Sequence, residues 1–329
     1  MQKMFGIKFA EAHILPAACQ RKPLLSLQKM DPTKAKPPFL LRLATFIRFS
    51  HTVFALPFGL IAMLAAAGGR VSAAVFGWIL VCMVASRTLA MCFNRLMDWD
   101  IDKLNPRTEG RHRLVAKPHA WLVLLLSTLL AVFSAARLNP LCLALSPLML
   151  LILCFYSLTK RFTPFSHLFL GIALAVAPVG AWVAVRGTLL EVPPLLLGAA
   201  VLCWTFGFDL IYSTLDADFD RAQRLFSFPS KYGIPAALRL ARVLHLAAAA
   251  LFWAFGRSTN LGPAYNVACL LTFGALFWEH RLAKTLVPER INQAFFQINA
   301  FVSIALLAGT LVEYKVWELL QIAATPQGN

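Results

Sequence analysis

The hydrophobic positions of this chain come in long blocks rather than in alternation. Nine apolar stretches, at about 50–68, 74–97, 119–136, 140–158, 165–185, 193–213, 235–255, 262–279 and 294–314, each approach the roughly 20 residues an α-helix needs to cross a bilayer. Polar residues do not recur within them at helical period, so the segments are apolar all round, as helices surrounded by lipid are. The breaks fall at Gly68-Gly69-Arg70, Asn139-Pro140, Thr163-Pro164, Pro193-Pro194, Gly233 and Gly262-Pro263, all ordinary turn signals. The pattern predicts an all-α integral membrane protein with nine transmembrane helices.

Composition agrees: 59% hydrophobic residues and a mean hydropathy of +0.68 exclude an ordinary soluble domain. A net charge of +16 would suggest a nucleic-acid partner in a soluble protein, but here the basic residues distribute by side. The N-terminal tail and the turns after helices 2, 4, 6 and 8 carry 23 Lys and Arg; the opposite turns carry only Arg70, Arg137, Arg186, Arg257 and Lys315. The positive-inside rule therefore puts the tail and those turns in the cytoplasm, in contact with membrane lipid and with no nucleic acid implied. Three regions are expected: a basic, poorly ordered cytosolic tail over 1–40, a transmembrane domain over 41–318 and a C-terminal tail over 319–329. The first has no signal-peptide core, and Glu11 and Asp31 interrupt a transit-peptide reading. Six of the seven cysteines lie inside apolar runs without metal-type spacing and read as small packing residues.

Against this background two polar arrays stand out. Asn94, Asp98 and Asp102 recur every four positions at the end of the second apolar run, so on a helix they share one face. Asp209, Tyr212, Asp216 and Asp220 close the sixth run, with Asp216 lying 118 residues after Asp98. The two windows hold seven of the 15 acidic residues of the chain. Carboxylates in the last turn of a helix face the negative end of its dipole, at about 0.3–1 kcal/mol each, so a positive partner is required. An all-oxygen donor set suits Mg²⁺, which also bridges to phosphate oxygens. Solvated loop acids balancing basic loops would not explain the fourfold spacing in both places. The duplication suggests two four-helix halves plus one appended helix around a central cavity open to the cytoplasmic side.

Candidate partners surround the arrays. Arg87 stands inside the second helix, where an unpaired charge costs about 2.5–3.5 kcal/mol on insertion scales, and two turns below Asn94 it is expected to point at the cavity. Arg107, Arg111, Lys160, Arg161, Arg221 and Lys231 are nearby loop bases, with lipid headgroup contact the competing reading for Arg107 and Arg221. His51 and His167 begin helices 1 and 5 as polar groups at the cavity mouth, with interfacial packing the alternative for each. Tyr156, Trp182, Phe208 and Tyr212 are aromatic candidates for stacking or for shielding a cation.

At these residues the chain resembles the UbiA superfamily of intramembrane prenyltransferases. The family pattern N-x-x-x-D-x-x-x-D stands here as Asn94, Asp98 and Asp102, and D-x-x-Y-x-x-x-D-x-x-x-D as Asp209, Tyr212, Asp216 and Asp220. Tyr156-x-x-x-Lys160-Arg161-x-Thr163 and Asn105-Pro106-Arg107-Thr108 match further family turns. The resemblance implies transfer of a polyprenyl group from polyprenyl diphosphate to a small aromatic acid in respiratory quinone biosynthesis, in a cell inner membrane with the site on the cytoplasmic side. It implies two Mg²⁺ on Asn94, Asp98, Asp102, Asp216 and Asp220, with Arg48, His51, Arg87, Arg107, Tyr156, Lys160, Arg161, Asp209 and Tyr212 around the substrates. Within the family the chain is most similar to 4-hydroxybenzoate polyprenyltransferases. In place of their R-x-D-K-P-x-G opening, however, it has Arg48-Phe-Ser-His51-Thr-Val-Phe-Ala-Leu-Pro57-Phe. That opening is similar to a sub-branch associated with the futalosine route to menaquinone, whose acceptor is 1,4-dihydroxy-6-naphthoate. A secondary transporter with ion-coupling acids is the reading from another class; it requires midplane acids in broken helices, whereas these stand at helix ends.

Overall fold

The computed structural model describes residues 37–104, 108 and 110–324, so Arg107, the tail up to Lys36 and the last five residues lie outside the described residues. Among the described residues the structure is helical without strands. A short α1 (Phe39–Phe46) leads through Arg48, in the left-handed conformation at φ 48°, into a 3-10 turn (Phe49–Phe54) and then α2 (Leu56–Ala66). The continuous helix expected over 50–68 is thus two pieces. Pro57 cannot donate a backbone N–H, which is harmless only in a first helical turn, so the α-helix begins there.

The long helices follow as the Gly and Pro breaks predict: α3 (Ala73–Met97), a short α4 (Trp99–Leu104), α5 (Lys117–Leu138), α6 (Pro140–Thr159), α7 (Ser166–Arg186) and α8 (Val192–Ser213). After α9 (Ala217–Ala222) and α10 (Phe228–Tyr232) come α11 (Ile234–Ser258), α12 (Pro263–Ala283), α13 (Pro288–Gln293) and α14 (Asn299–Ala324). Among the described residues, eight helical stretches are long and apolar enough to cross a membrane. Although α12 is 21 residues long, it does not meet that apolarity, carrying Asn266, Glu279, His280 and Arg281. The ninth expected segment, 294–314, begins with a π-helical turn (Ala294–Ile298), and α14 runs on to Ala324, past the 318 boundary read from the sequence.

The bundle packs through small residues and aromatic rings. Gly171 lets α7 approach α8 so closely that a Cβ there would stand 2.8 Å from the Leu202 carbonyl oxygen. Trp204 of α8 lies at the centre, fully buried, with Phe58 at 5.1 Å and Phe208 at 4.8 Å between ring centroids. On α5 the outward Leu122, Leu125, Leu126, Leu129 and Phe133 are exposed, an apolar face suited to lipid. Asn139 caps α6 by accepting from Cys142 N (2.8 Å) while its amide donates to the Val183 carbonyl (2.9 Å), which ties α6 to the end of α7.

Candidate active site

Helices α2, α3, α6, α7 and α8 enclose a cavity of about 730 Å³. Its wall includes both Cys142, at the start of α6, and Lys160, just past its end, so at 1.5 Å rise per residue it runs about 27 Å along the bundle. The far part is lined by Ile79, Leu138, Leu145, Ile152, Val179 and Leu189, whereas all the carboxylates cluster at the end near Lys160. One cavity therefore joins a charged head to a long apolar bore.

The first array sits where α3 gives way to α4. Asp98 is the C-cap of α3, and the backbone continues in helical spacing across the break: Asp98 N donates to Asn94 O at 2.9 Å and Asp102 N to Asp98 O at 2.7 Å. All three side chains line the cavity as the fourfold spacing predicts. The expected dipole penalty, however, applies less widely than the sequence suggests. The break places Asp102 in the first turn of α4, where a carboxylate is favoured. The second array breaks the same way: Asp209 and Tyr212 belong to α8, Asp216 to a 3-10 turn (Thr214–Asp216), and Asp220 to the first turn of α9. These four also line the cavity. Asp100 and Asp218 point outward instead and pair with Lys103 (3.0 Å) and Arg221 (2.8 Å). The Lys103 hydrogen bond holds the Asp100 carboxyl below its usual range.

Basic residues hold the first array. Lys160 Nζ lies 2.6 Å from Asp98 Oδ2, and the Asn94 amide donates to the same oxygen at 3.4 Å. Asp102 is gripped by Arg111 at 3.1 Å and by Arg95 at 3.3 Å. Burial, with the neighbouring Arg95 and Arg48 charges, pushes the Arg111 guanidinium down to about 9, so it stays charged at neutral pH. Arg87 lines the cavity as expected, and its buried Nε has no hydrogen-bond partner. Arg48, His51 and Tyr156 are also in the wall. Arg161 is not: its guanidinium is exposed and donates to the Met97 carbonyl at 2.6 Å. Trp182, another aromatic candidate, is buried in the core and does not line the cavity.

Several site residues escaped sequence reading. Arg95 follows Asn94 directly and so sits off the helical face shared by the array. His167, a sequence candidate for the cavity mouth, does line the cavity but is buried there, and its pairing is what spacing could not show: Phe228 N donates to its Nε2 at 3.4 Å and its Nδ1 lies 2.6 Å from Asp209 Oδ2. Phe295, on the π-helical turn, stacks on Tyr212 with 4.1 Å between centroids and 28° between planes. A π turn is itself a pointer to function, but its presence could not be read from residue spacing.

The donor set can be tested for a metal. Among the described residues, no three His, Cys, Asp or Glu side chains are gathered as a metal group. Asp98 and Asp102 are held by Lys160, Arg95 and Arg111, and Asp209 by His167. Yet Asp98 Oδ1 is buried without a hydrogen-bond partner, and every acidic group facing the cavity offers oxygen alone. This chemistry fits a hard divalent cation.

The sequence matches the UbiA prenyltransferase family over residues 55–304, a span that contains both arrays. The chain belongs to the UbiA prenyltransferase family. It is a prenyltransferase, and its relatives include the 4-hydroxybenzoate octaprenyltransferase of Shewanella pealeana, 28% identical over 279 residues, 84% of this chain and 96% of that protein. The 4-hydroxybenzoate solanesyltransferase of Synechocystis sp. is 29% identical over 289 residues, 85% of this chain and 98% of that protein. Among solved structures, a UbiA homolog from Aeropyrum pernix K1 in its apo form matches with a TM-score of 0.73 and 34% identity, covering 80% of this chain and 97% of that one. A UbiA homolog from Archaeoglobus fulgidus bound to DMAPP and Mg²⁺ shares the fold at a TM-score of 0.58 and 16% identity, covering 80% and 99%.

Proposed function

We propose that this UbiA prenyltransferase moves a polyprenyl group from its diphosphate onto the ring of a small aromatic acid, 4-hydroxybenzoate foremost, in respiratory quinone biosynthesis. The observation that carries this reading is the cavity itself, in which two acidic arrays and a set of bases share the head of a bore that is otherwise apolar. The diphosphate belongs at the head and the isoprenoid chain in the bore. Relatives named for 4-hydroxybenzoate transfer, at 28 and 29% identity, support the acceptor class.

The chemistry follows from the residues. Asn94, Asp98 and Asp102 on one side and Asp216 and Asp220 on the other would hold two Mg²⁺. Bound there, the metal supplies positive charge to the leaving diphosphate. Lys160, Arg87, Arg95, Arg111 and Arg48 stabilise the same developing charge from fixed positions. The bond between allylic carbon and diphosphate oxygen breaks, and its electron pair leaves with the diphosphate. A ring carbon of the acceptor bonds to the allylic carbon, and the displaced ring proton passes to Asp209, which His167 orients. Tyr156 and Tyr212 face the allylic cation, and the apolar bore keeps water from it.

The charge asymmetry of the turns supports a cytoplasmic-facing head in a cell inner membrane. It also supports nine spans in two halves plus one, because α12 must cross for the basic turns to share a side. Its Glu279 is fully buried and accepts from Asn299, so that acid does not face lipid. On this reading 41–318 is the enzymatic domain, flanked by the tails at 1–40 and 319–329.

The test is turnover in liposomes with polyprenyl diphosphate and 4-hydroxybenzoate. Product is expected with Mg²⁺ and is expected to vanish with a chelator or in D98A and D216A; full activity of either variant overturns the reading. The His51-containing opening, whose Arg48 and His51 both line the cavity, favours a second acceptor, 1,4-dihydroxy-6-naphthoate, to be assayed alongside.

A further inference from the structure

A buried polar chain lies behind the cavity, outside the machinery above. Glu279 of α12 is 0% exposed, and Asn299, the first residue of α14, is 0% exposed. The Asn299 amide donates both to Glu279 Oε1 at 2.9 Å and to the Phe295 carbonyl at 3.1 Å. Its backbone N–H donates instead to the Phe296 carbonyl three residues back, at the C-cap of the π turn. Behind Glu279, His245 Nδ1 stands 3.6 Å from Oε2, while the other ring nitrogen of His245 is 3.2 Å from the carbonyl oxygen of Trp204. A buried carboxylate is costly unless it is hydrogen-bonded, and here its bonded partner is the residue that closes the π turn.

The turn matters because of what it aims. Inserting one residue into a helical turn rotates the faces before and after it by about 100° relative to each other. Phe295 thereby becomes the hub of an aromatic cluster at the cavity head: Tyr212 at 4.1 Å, Phe54 and Phe208 at 5.4 Å each, and His51 at 5.6 Å. Tyr212 stands between Asp209 and Asp216 along the second array, so a planar ring laid against this cluster lies beside the diphosphate end.

Building on the proposed aromatic transfer, we infer that Phe295 and Tyr212 form the wall on which the acceptor ring stacks, and that Asn299, anchored by Glu279, is the positioning residue that keeps Phe295 there. The amide fixes the Phe295 carbonyl, and through it the direction of the ring. Glu279 fixes the amide in turn. Neither Asn299 nor Glu279 lines the cavity, so neither touches substrate.

A double-mutant cycle tests this: F295A, N299A and the pair, assayed for prenyl transfer with acceptor and donor varied separately. An aromatic contact of this kind predicts an acceptor KM raised about three- to tenfold in each single variant, with donor KM unchanged. The double variant is expected to be no worse than F295A, because the second change acts through the first. E279Q, which keeps an oxygen for the amide, is expected within about twofold of the parent. If N299A does not accumulate, N299S, too short to reach both partners, carries the same comparison. Multiplying effects in the double variant, or equal rises in both KM values, overturn the inference. A parent protein that forms no prenylated product overturns the enzymatic reading instead, so the two failures are distinct.

Discussion

Replacing Lys160 by Gln is expected to tighten the binding of a divalent cation measured in the absence of donor. Lys160 Nζ stands 2.6 Å from Asp98 Oδ2, and the two side chains are 31% and 4% exposed. A cation that uses Asp98 must therefore compete with an ammonium for the same carboxylate. A hydrogen bond between charged groups contributes about 1.5–3 kcal/mol, and the lower part of that range applies because the lysine is nearly a third exposed and so screened. About 1.5–2 kcal/mol corresponds to a gain of roughly 10- to 30-fold in cation affinity. Mn²⁺ binding to the purified protein, followed by electron paramagnetic resonance, reads this directly, with D98N as the control that loses binding. Turnover of K160Q should move the other way and fall by about 100-fold, since a fixed cation is removed from the leaving diphosphate. Mn²⁺ affinity in K160Q no tighter than in the parent would refute the competition and make the lysine a support for the carboxylate.

Three other outcomes follow from named contacts. H167Q removes the partner held 2.6 Å from Asp209 and should lower turnover about 10- to 100-fold with donor KM unchanged in steady-state assays. R161Q should keep activity within about twofold, because its guanidinium is exposed on the Met97 carbonyl; a larger loss would put it at the diphosphate after all. G207A places a Cβ in overlap with the His245 ring and should destabilise the α8–α11 contact by about 1–3 kcal/mol, read as a thermal transition several degrees lower.

What the sequence made legible was what depends on one helix at a time. Long apolar runs between Gly and Pro breaks located the helices, and α3, α6 and α8 start and stop within a residue or two of their expected ends. Fourfold spacing placed Asn94, Asp98 and Asp102 on one face because backbone hydrogen bonds carry helical geometry through the break at Asp98. Spacing is silent about contacts between helices. Arg95 lies about 100° from Asn94 on α3 and looks unrelated to the array, yet the turn into α4 swings Asp102 back over it. The pairing of His167 with Asp209 joins α7 to α8, and the stacking of Phe295 on Tyr212 joins the π turn to α8; both depend on how helices pack. Arg161 shows the same: adjacent in sequence to Lys160, it follows the last turn of α6 outside the cavity wall, on the Met97 carbonyl.

The charges around the cavity head explain why bases sit on Asp98 and Asp102. Five carboxylates line it, Asp98, Asp102, Asp209, Asp216 and Asp220, and five cations face them, Arg48, Arg87, Arg95, Arg111 and Lys160. Burying an uncompensated charge in a membrane protein is expensive, so a near-neutral head is what allows so many ionised groups to share it. On the proposed function, a diphosphate with two divalent cations would change that balance by roughly one charge, because phosphate and metal largely neutralise each other. Asp98 and Asp102 would then be the groups to hold metal, and Lys160, Arg95 and Arg111 the groups to meet phosphate. On this logic a single charge reversal at the head, such as D102K, should harm folding more than the neutral D102N. With both activities expected to be lost, the difference would be read in the yield of folded protein rather than in turnover.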